Sequence, residues 1–218
     1  MVGLGIAISL LTNVEAGPRV LPEMNTHLRY ATKCASEGWY SAMEASVDVI
    51  SPNYLRIFIP INRDSQRTGA VMSAIAIWEN ALNKQVRIER VASASNADIT
   101  IRFVDEISDK DGGAGGFAEW KRSVTQVGGE YVGKTTAQIK LAFTSGTRTF
   151  SDDALLQSAL HEFGHVLGLD DSHSHHDVMG PLDLRSPVTS PQLGEISALK
   201  RLRTLGNAIL AGVVAERR

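Results

Sequence analysis

Residues 161–171, HEFGHVLGLDD, are the stretch that decides both the fold and the chemistry of this chain. Two histidines four residues apart, with a glutamate directly after the first, have the spacing that binds a zinc ion and places a base beside it. Gly168, and Met179 further along, extend this short motif into a longer one. The motif predicts a metal centre on a helix, with His161 and His165 as ligands.

The periodicity around the two histidines predicts an amphipathic helix. On a wheel of about 100° per residue, the apolar residues fall within an arc roughly 140° wide. His161 and His165 lie about 40° apart in the middle of the opposite face, and Glu162 lies at its edge. Aspartates at 152–153 mark the start of the helix, and Gly168 marks its end. The face therefore presents two imidazoles with room for an ion and a substrate.

The pattern HExxHxxGxx(H/D) with a downstream methionine resembles the signature of the metzincin metallopeptidases. HEFGHVLGLDDS followed by DVMGP is most similar to the matrixin branch, including its bacterial members. The resemblance implies an α+β, zincin-like metzincin catalytic domain, which is a twisted mixed β-sheet with an active-site helix and a C-terminal helix. It also implies a Zn²⁺ cofactor, a Met-turn at Met179 and a protein or peptide substrate.

The third zinc ligand that the resemblance implies is Asp171, where most metzincins have histidine. A minority of metzincins resemble this chain in using aspartate, and carboxylate oxygens do bind zinc. His173 is the alternative, because imidazole is the better ligand and the same short loop carries both residues. The histidines at 175–176 are expected to be solvated. Residues 180–181 are Gly-Pro where matrixins usually have Tyr-Pro, which changes the wall of the specificity pocket.

The resemblance implies hydrolysis of peptide bonds by a metal-activated water, with Glu162 as the general base. One alternative is a non-catalytic metal-binding or protein-binding domain that keeps the zincin fold. Others are a structural zinc site, a hydrolase of non-peptide amides and a chance HExxH on an ordinary helix. Structural zinc sites are usually closed by four protein ligands and rich in cysteine. No cysteine lies near this motif and Glu162 is intact, which favours the enzyme.

The composition describes an ordinary globular protein. The chain has 218 residues, of which 43% are hydrophobic, so one domain with a substantial core is expected. A net charge of −2 and the lack of a basic cluster give no reason to expect nucleic acid as a partner. The single cysteine, Cys34, excludes an internal disulfide.

Residues 1–16, MVGLGIAISLLTNVEA, resemble the apolar core and small-residue cleavage site of a secretory signal, although they lack a basic start. The alternative is a buried N-terminal strand or helix. About ten apolar residues are too few to cross a bilayer, so stable membrane insertion is not expected. The signal interpretation predicts a secreted or periplasmic protein.

Residues 17–52 have weak periodicity and are predicted to be an N-terminal extension or short pro-segment, whereas 53–218 form the catalytic domain. Strands are predicted where apolar residues alternate or recur closely. One further helix is predicted from apolar residues at steps of three and four, and another from the start signal Ser190-Pro191. The predicted strands cover 55–59, 86–91, 97–103 and 139–143, and the helices cover 71–82 and the residues after Pro191.

Two further features have two interpretations each. Asp105, Glu106, Asp109 and Asp111 could hold Ca²⁺ through oxygen ligands, as the matrixin resemblance suggests, or form a solvated loop. Cys34 could keep the zinc latent as a pro-segment thiolate, but its surroundings, TKCASEGW, do not match the family's switch motif. A small buried residue is the favoured role.

Residues 117–120, FAEW, are predicted to be an edge strand that pairs with an extended substrate.

Overall fold

The structure, a computed structural model, describes residues 19–60, 65–107, 115–145 and 147–216. These residues form five α-helices and seven β-strands. In chain order the elements are α1 (Pro22–Glu37), α2 (Tyr40–Ile50), β1 (Tyr54–Phe58), α3 (Ser65–Ala81), β2 (Arg87–Arg90), β3 (Ile99–Phe103), β4 (Gly116–Val127), β5 (Glu130–Leu141), β6 (Thr144–Ser145), β7 (Arg148–Thr149), α4 (Asp152–Leu167) and α5 (Leu193–Glu216). The histidine helix α4 and the C-terminal helix α5 accompany a mixed sheet, which confirms the predicted α+β class.

The central sheet has the strand order β2–β1–β3–β5–β4. The first four strands are parallel, and β4 runs antiparallel to β5. Alternation in β1 and β3 buries Leu55, Ile57, Ile99 and Ile101 against the helices. Residues 117–120 lie in β4, which is an edge strand of this sheet, as the sequence predicted.

The largest apolar core lies between this sheet and the helices α3 and α4. Trp78 of α3 is fully buried, and its indole N–H donates to the carbonyl oxygen of Leu160 at 2.9 Å. Phe163 of α4 is also fully buried, and burying a side chain of that size stabilises the fold by about 1.5–3 kcal/mol. Because the apolar face of α4 packs in this core, the histidines lie on the opposite face of the helix.

Helices α1 and α2 form a second core with the C-terminal helix α5. Its buried residues include Met24, Leu28, Met43, Leu202 and Ile209. Just before α1, residue 20 forms an isolated antiparallel bridge with residue 169, beside the end of α4. The described part of the predicted extension or pro-segment thus shares a core with the predicted catalytic domain. The division at residue 52 stays a prediction.

Several element boundaries differ from those the sequence predicted, and two of these differences have a local cause. Helix α5 begins two residues after Pro191, because Glu195 reaches back and accepts the backbone N–H of Gln192 at 2.7 Å. The strand predicted through Phe143 ends two residues earlier, since Phe143 joins a smaller core beside Phe103.

The predicted signal segment, residues 1–16, lies outside the described residues. Among the helices that the structure describes, none combines the length and apolar character needed to cross a membrane.

Candidate metal centre

Helix α4 is fixed at both ends by its own sequence. At its start, the Ser151 hydroxyl accepts the backbone N–H of Ala154 at 3.2 Å, and the two aspartates lie in the first turn. At its end, Gly168 has a φ of 115°, a left-handed conformation that glycine adopts without strain. The Gly168 N–H donates to the carbonyl oxygens of Gly164 and His165. A regular helix between these caps places both histidines on one face.

His161, His165 and Asp171 bring three ligand atoms to one point. The two histidine Nε2 atoms are 3.1 Å apart, and Asp171 Oδ1 lies 3.2 Å from the first and 3.4 Å from the second. Within the described ranges, these residues are the one group spaced to hold a metal ion. Ligands about 2.0–2.1 Å from a tetrahedral zinc lie about 3.3–3.4 Å apart. The triangle therefore has the size of one face of that tetrahedron.

The backbone selects the tautomer of both histidines. Nδ1 of His161 donates to the carbonyl oxygen of Val178 at 3.1 Å, and Nδ1 of His165 donates to that of Leu169 at 3.0 Å. Because a carbonyl can only accept, each Nδ1 carries the hydrogen and each Nε2 presents a lone pair. Two lone pairs and a carboxylate oxygen at these distances repel one another unless a cation lies between them, either a metal ion or the proton that His161 shares with Asp171. The donor set fits Zn²⁺.

The charges around the triad also favour a cation. Burial alone would lower the pKa of His161, but the hydrogen bond to Asp171 and the charge of Glu162 raise it. The pKa of Asp171 is lowered, chiefly by its hydrogen bond with His161. Burial and the neighbouring His161 lower the pKa of His165. The triad thus attracts positive charge and keeps His165 neutral, which is the form of imidazole that binds metal.

Glu162 lies beside the triad with its carboxyl buried, at 4% exposure. Burial raises its pKa to about 7, although His161 opposes the shift, and the carboxyl accepts the backbone N–H of Ala118. A Cβ on Gly116 would lie 2.6 Å from Glu162 Oε1, so glycine at the start of β4 allows the strand to approach the carboxyl. A carboxyl that titrates near neutrality is suited to taking up and returning a proton.

Met179 packs against α4 on the metal-ligand side. A Cβ on Gly164 would lie 2.2 Å from Met179 Sδ, so this glycine makes room for the methionine. The Met179 N–H donates to Oε1 of the buried Glu195 at 2.7 Å, which joins the methionine to α5. Sequence reasoning missed Glu195. Glu195 occupies the third position of α5, where the glutamate of a capping box lies, but Gln192 stands where that motif has serine or threonine, so the sequence signal is incomplete.

The loop between α4 and Met179 is held by the buried Asp177. Its Oδ2 accepts hydrogen bonds from Arg19 Nη1 at 2.8 Å and from Ser172 Oγ at 2.6 Å. The side chains of His173 and of residues 175–176 are exposed, and none of them joins the metal cluster found among the described residues. Asp171 rather than His173 lies beside the two histidines, and its role as a ligand stays a prediction.

A cleft of about 600 Å³ opens in front of the triad. Residues 116–118 of β4 line the cleft, and so do residues 180–182, which include the Gly-Pro at the position where matrixins usually have Tyr-Pro. Gln157, one turn before the first histidine, lies in the wall at 1% exposure. Its Oε1 accepts the Val188 N–H at 2.9 Å, whereas its buried Nε2 has no partner among the described residues. The cleft has room for a substrate beside Glu162.

The other predicted sites show no metal group in the described residues. Asp105 and Glu106 are exposed, and Asp109 and Asp111 lie outside the described residues, so calcium binding at this loop stays a prediction. Cys34 is fully buried in the core of α1, α2 and α5, and burial raises the pKa of its thiol. These surroundings fit the small buried residue that the sequence favoured, because a metal-binding cysteine must be a thiolate.

The sheet, the histidine helix and the His-His-Asp triad define a metalloprotein of the zincin type. The family model described as matrixin, of the peptidase M10 class, matches residues 58–193. The chain therefore belongs to the matrixin family, whose members are zinc metallopeptidases that act on proteins or peptides. No curated protein matches the chain.

Proposed function

We propose that this protein is a zinc-dependent endopeptidase with His161, His165 and Asp171 as the metal ligands. The observation that carries the proposal is the triangle of three ligand atoms, 3.1 to 3.4 Å apart, beside a buried carboxyl. When bound, zinc supplies Lewis acidity that polarises a carbonyl and makes a water more acidic. Three protein ligands leave a fourth position open, as in catalytic zinc sites.

Glu162 acts as the general base in this proposal. Its carboxylate takes a proton from the water that attacks the scissile carbonyl and returns the proton to the leaving amine. The hydrogen bond from Ala118 and the contact with Gly116 fix the carboxyl beside the triad. The open edge of β4 would align an extended peptide through main-chain hydrogen bonds. Pro181 lines the cleft two residues after the methionine and carries no hydroxyl that could assist.

The direct test is metal analysis of the purified protein combined with cleavage of an unbiased peptide library. We expect stoichiometric zinc, cleavage of internal peptide bonds, loss of cleavage with a chelator and recovery when zinc is added back. A folded protein that holds zinc but cleaves no peptide would instead be a non-catalytic binding domain or a hydrolase of other amides. Export, to the outside or the periplasm, is a further proposal that depends on the apolar segment 1–16.

A further inference from the structure

Arg122 of β4 is a buried cation attached to the end of the histidine helix. Its side chain is 1% exposed. Nη2 donates to the carbonyl oxygens of His165 at 3.0 Å and of Val166 at 2.7 Å. The last carbonyls of a helix lack partners within the helix and carry its negative pole, so a guanidinium stabilises them there. Arg122 thereby holds the backbone of one of the proposed metal ligands.

Glu23 of α1 supplies the negative charge that a buried guanidinium needs. Its Oε1 accepts hydrogen bonds from Arg122 Nη1 and, at 2.7 Å, from the indole N–H of Trp120. Burying a charge costs several kcal/mol unless it is paired, so Arg122 depends on this carboxylate. Burial lowers the pKa of Arg122, whereas Glu23 opposes that shift.

Trp120 connects the same carboxylate to the ring of the metal ligand. Its indole stacks on the imidazole of His165, with ring centroids 5.2 Å apart and an interplanar angle of 18°. The His165 ring is therefore fixed on one face by Trp120 and at Nδ1 by the carbonyl of Leu169. Trp120 and Arg122 both support His165, and both donate a hydrogen bond to Glu23.

The chain just before α1 lies against the loop that carries the third proposed ligand. The Leu21 N–H donates to the carbonyl oxygen of Gly168 at 2.9 Å, and the Asp170 N–H donates to that of Arg19 at 3.1 Å. These bonds flank the loop directly before Asp171. The N-terminal segment thus contacts the chain that leads to Asp171 and, through Glu23, the two side chains that support His165.

We propose that Glu23 is a positioning residue for the metal ligand His165 and acts through Trp120 and Arg122. The N-terminal helix α1 is then a permanent part of the metal centre rather than a segment that is removed to activate it. This inference rests on the proposed function in one respect, the binding of zinc by His165. The orientation of the imidazole can be measured without zinc.

The experiment compares the full chain with Glu23→Ala, Glu23→Gln and the control Glu37→Ala. Glu37 lies on the same helix and forms an ion pair with Lys33, at 3.9 Å, on the surface. Two quantities are measured: the imidazole nitrogen signals of His165 by NMR in metal-free protein, and the zinc dissociation constant by competition with a chromophoric chelator. Glu23→Gln keeps the acceptor oxygen and loses the charge, so its effects should be smaller than those of Glu23→Ala.

We expect Glu23→Ala to change the His165 signals and to weaken zinc binding about tenfold, as loss of a residue supporting a ligand does. Glu37→Ala should change neither quantity. A folded Glu23→Ala variant with His165 signals and zinc binding like the parent's would overturn the proposal, even if its melting temperature fell. If that variant does not fold, Glu23→Gln is judged by the same criteria. A parent that binds no zinc would refute the proposed function, whereas the His165 signals would still decide the role of Glu23.

Discussion

Asp171 is the side chain on which the metal assignment depends most, because a nearby histidine competes for the same role. Its Oδ1 lies 3.2 and 3.4 Å from the two histidine nitrogens, whereas His173 does not belong to the group of described residues that are spaced to hold a metal ion. Asp171→Ala should therefore lose most of its bound zinc on dialysis, and His173→Ala should retain the parent's content. The measurement is zinc per chain after identical dialysis of both variants. Loss of zinc in the His173 variant alone would transfer the ligand role to that residue.

A glycine-to-alanine substitution can be compared at two helical positions, one closely packed and one open. Gly164 of α4 lies against a buried side chain, and Gly69 of α3 faces open space. A Cβ on Gly164 would lie 2.2 Å from the Sδ of the buried Met179, whereas a Cβ on Gly69 of α3 meets nothing within 4 Å. Gly164→Ala should lower the free energy of unfolding by about 1–3 kcal/mol through overpacking. Gly69→Ala should raise it by about 0.5–1 kcal/mol through helix propensity.

Urea unfolding of both alanine variants measures these changes. A stabilising effect of Gly164→Ala would show that Met179 does not pack closely against Gly164 of α4.

An ion pair between Arg56 of β1 and Asp98, the residue just before β3, contributes stability that depends on pH. Asp98 accepts hydrogen bonds from Arg56 Nε at 3.1 Å and Nη2 at 2.9 Å, and another from the Arg56 backbone N–H at 2.9 Å. Burial alone would raise the pKa of Asp98, but these bonds lower it below its ordinary value. A carboxyl with a lowered pKa contributes stability that is present above its ordinary pKa and is lost as pH falls through the lowered one.

Asp98→Asn should therefore lower the free energy of unfolding at pH 7 by about 1–2 kcal/mol, nearer the lower figure because Arg56 is partly exposed. The difference from the parent should shrink as the pH falls below about 4. The control is Glu89→Gln, which breaks an exposed pair with Arg87 and should cost less than about 0.5 kcal/mol. A difference for Asp98→Asn that grew toward low pH would have the wrong sign for this account.

The elements that could be predicted from the sequence are those whose signals are local. Helix α4 combines an apolar stripe with caps at both ends, and β1 and β3 alternate over a buried face. The long β4–β5 hairpin was predicted only at its ends, around residues 117–120 and 139–141. The middle of the hairpin is polar and partly exposed. It is stabilised by backbone pairing along the whole register, which the side chains of either strand alone do not reveal.

The same contrast holds for the metal centre. His161, Glu162 and His165 follow from helical spacing, and Asp171 followed from the matrixin resemblance. Support for His165 could not be predicted, since Glu23 and Arg122 are 99 positions apart and meet only in the folded chain. Helices α1 and α2 were missed although their buried residues recur with a helical period, as Met24, Leu28 and Ala31 do in α1; small residues such as Ala42 and Ala45 make up much of the buried face of α2.

At the scale of the whole molecule, the shared core of α1, α2 and α5 predicts that the N-terminal helices unfold together with the metal centre. Native-state hydrogen exchange should give amides in the middle of α1 and of α4 the same free energy of opening. Amides at the exposed tip of the β4–β5 hairpin, near Val127, should exchange through local opening at a lower free energy. A much lower free energy for α1 than for α4 would make the N-terminal helices a separate unit.

We propose above that this matrixin hydrolyses peptide bonds with Glu162 as the base at a zinc centre. The most direct measurement is the rate of peptide cleavage by Glu162→Gln, loaded with zinc to the parent's content, against the parent on the same substrate. The glutamine has nearly the same shape and keeps an oxygen for the Ala118 N–H, but it cannot take up the proton. We predict unchanged zinc content and a rate about 10²–10⁴-fold lower. A zinc-loaded Glu162→Gln variant that cleaves peptide as fast as the parent would contradict the account.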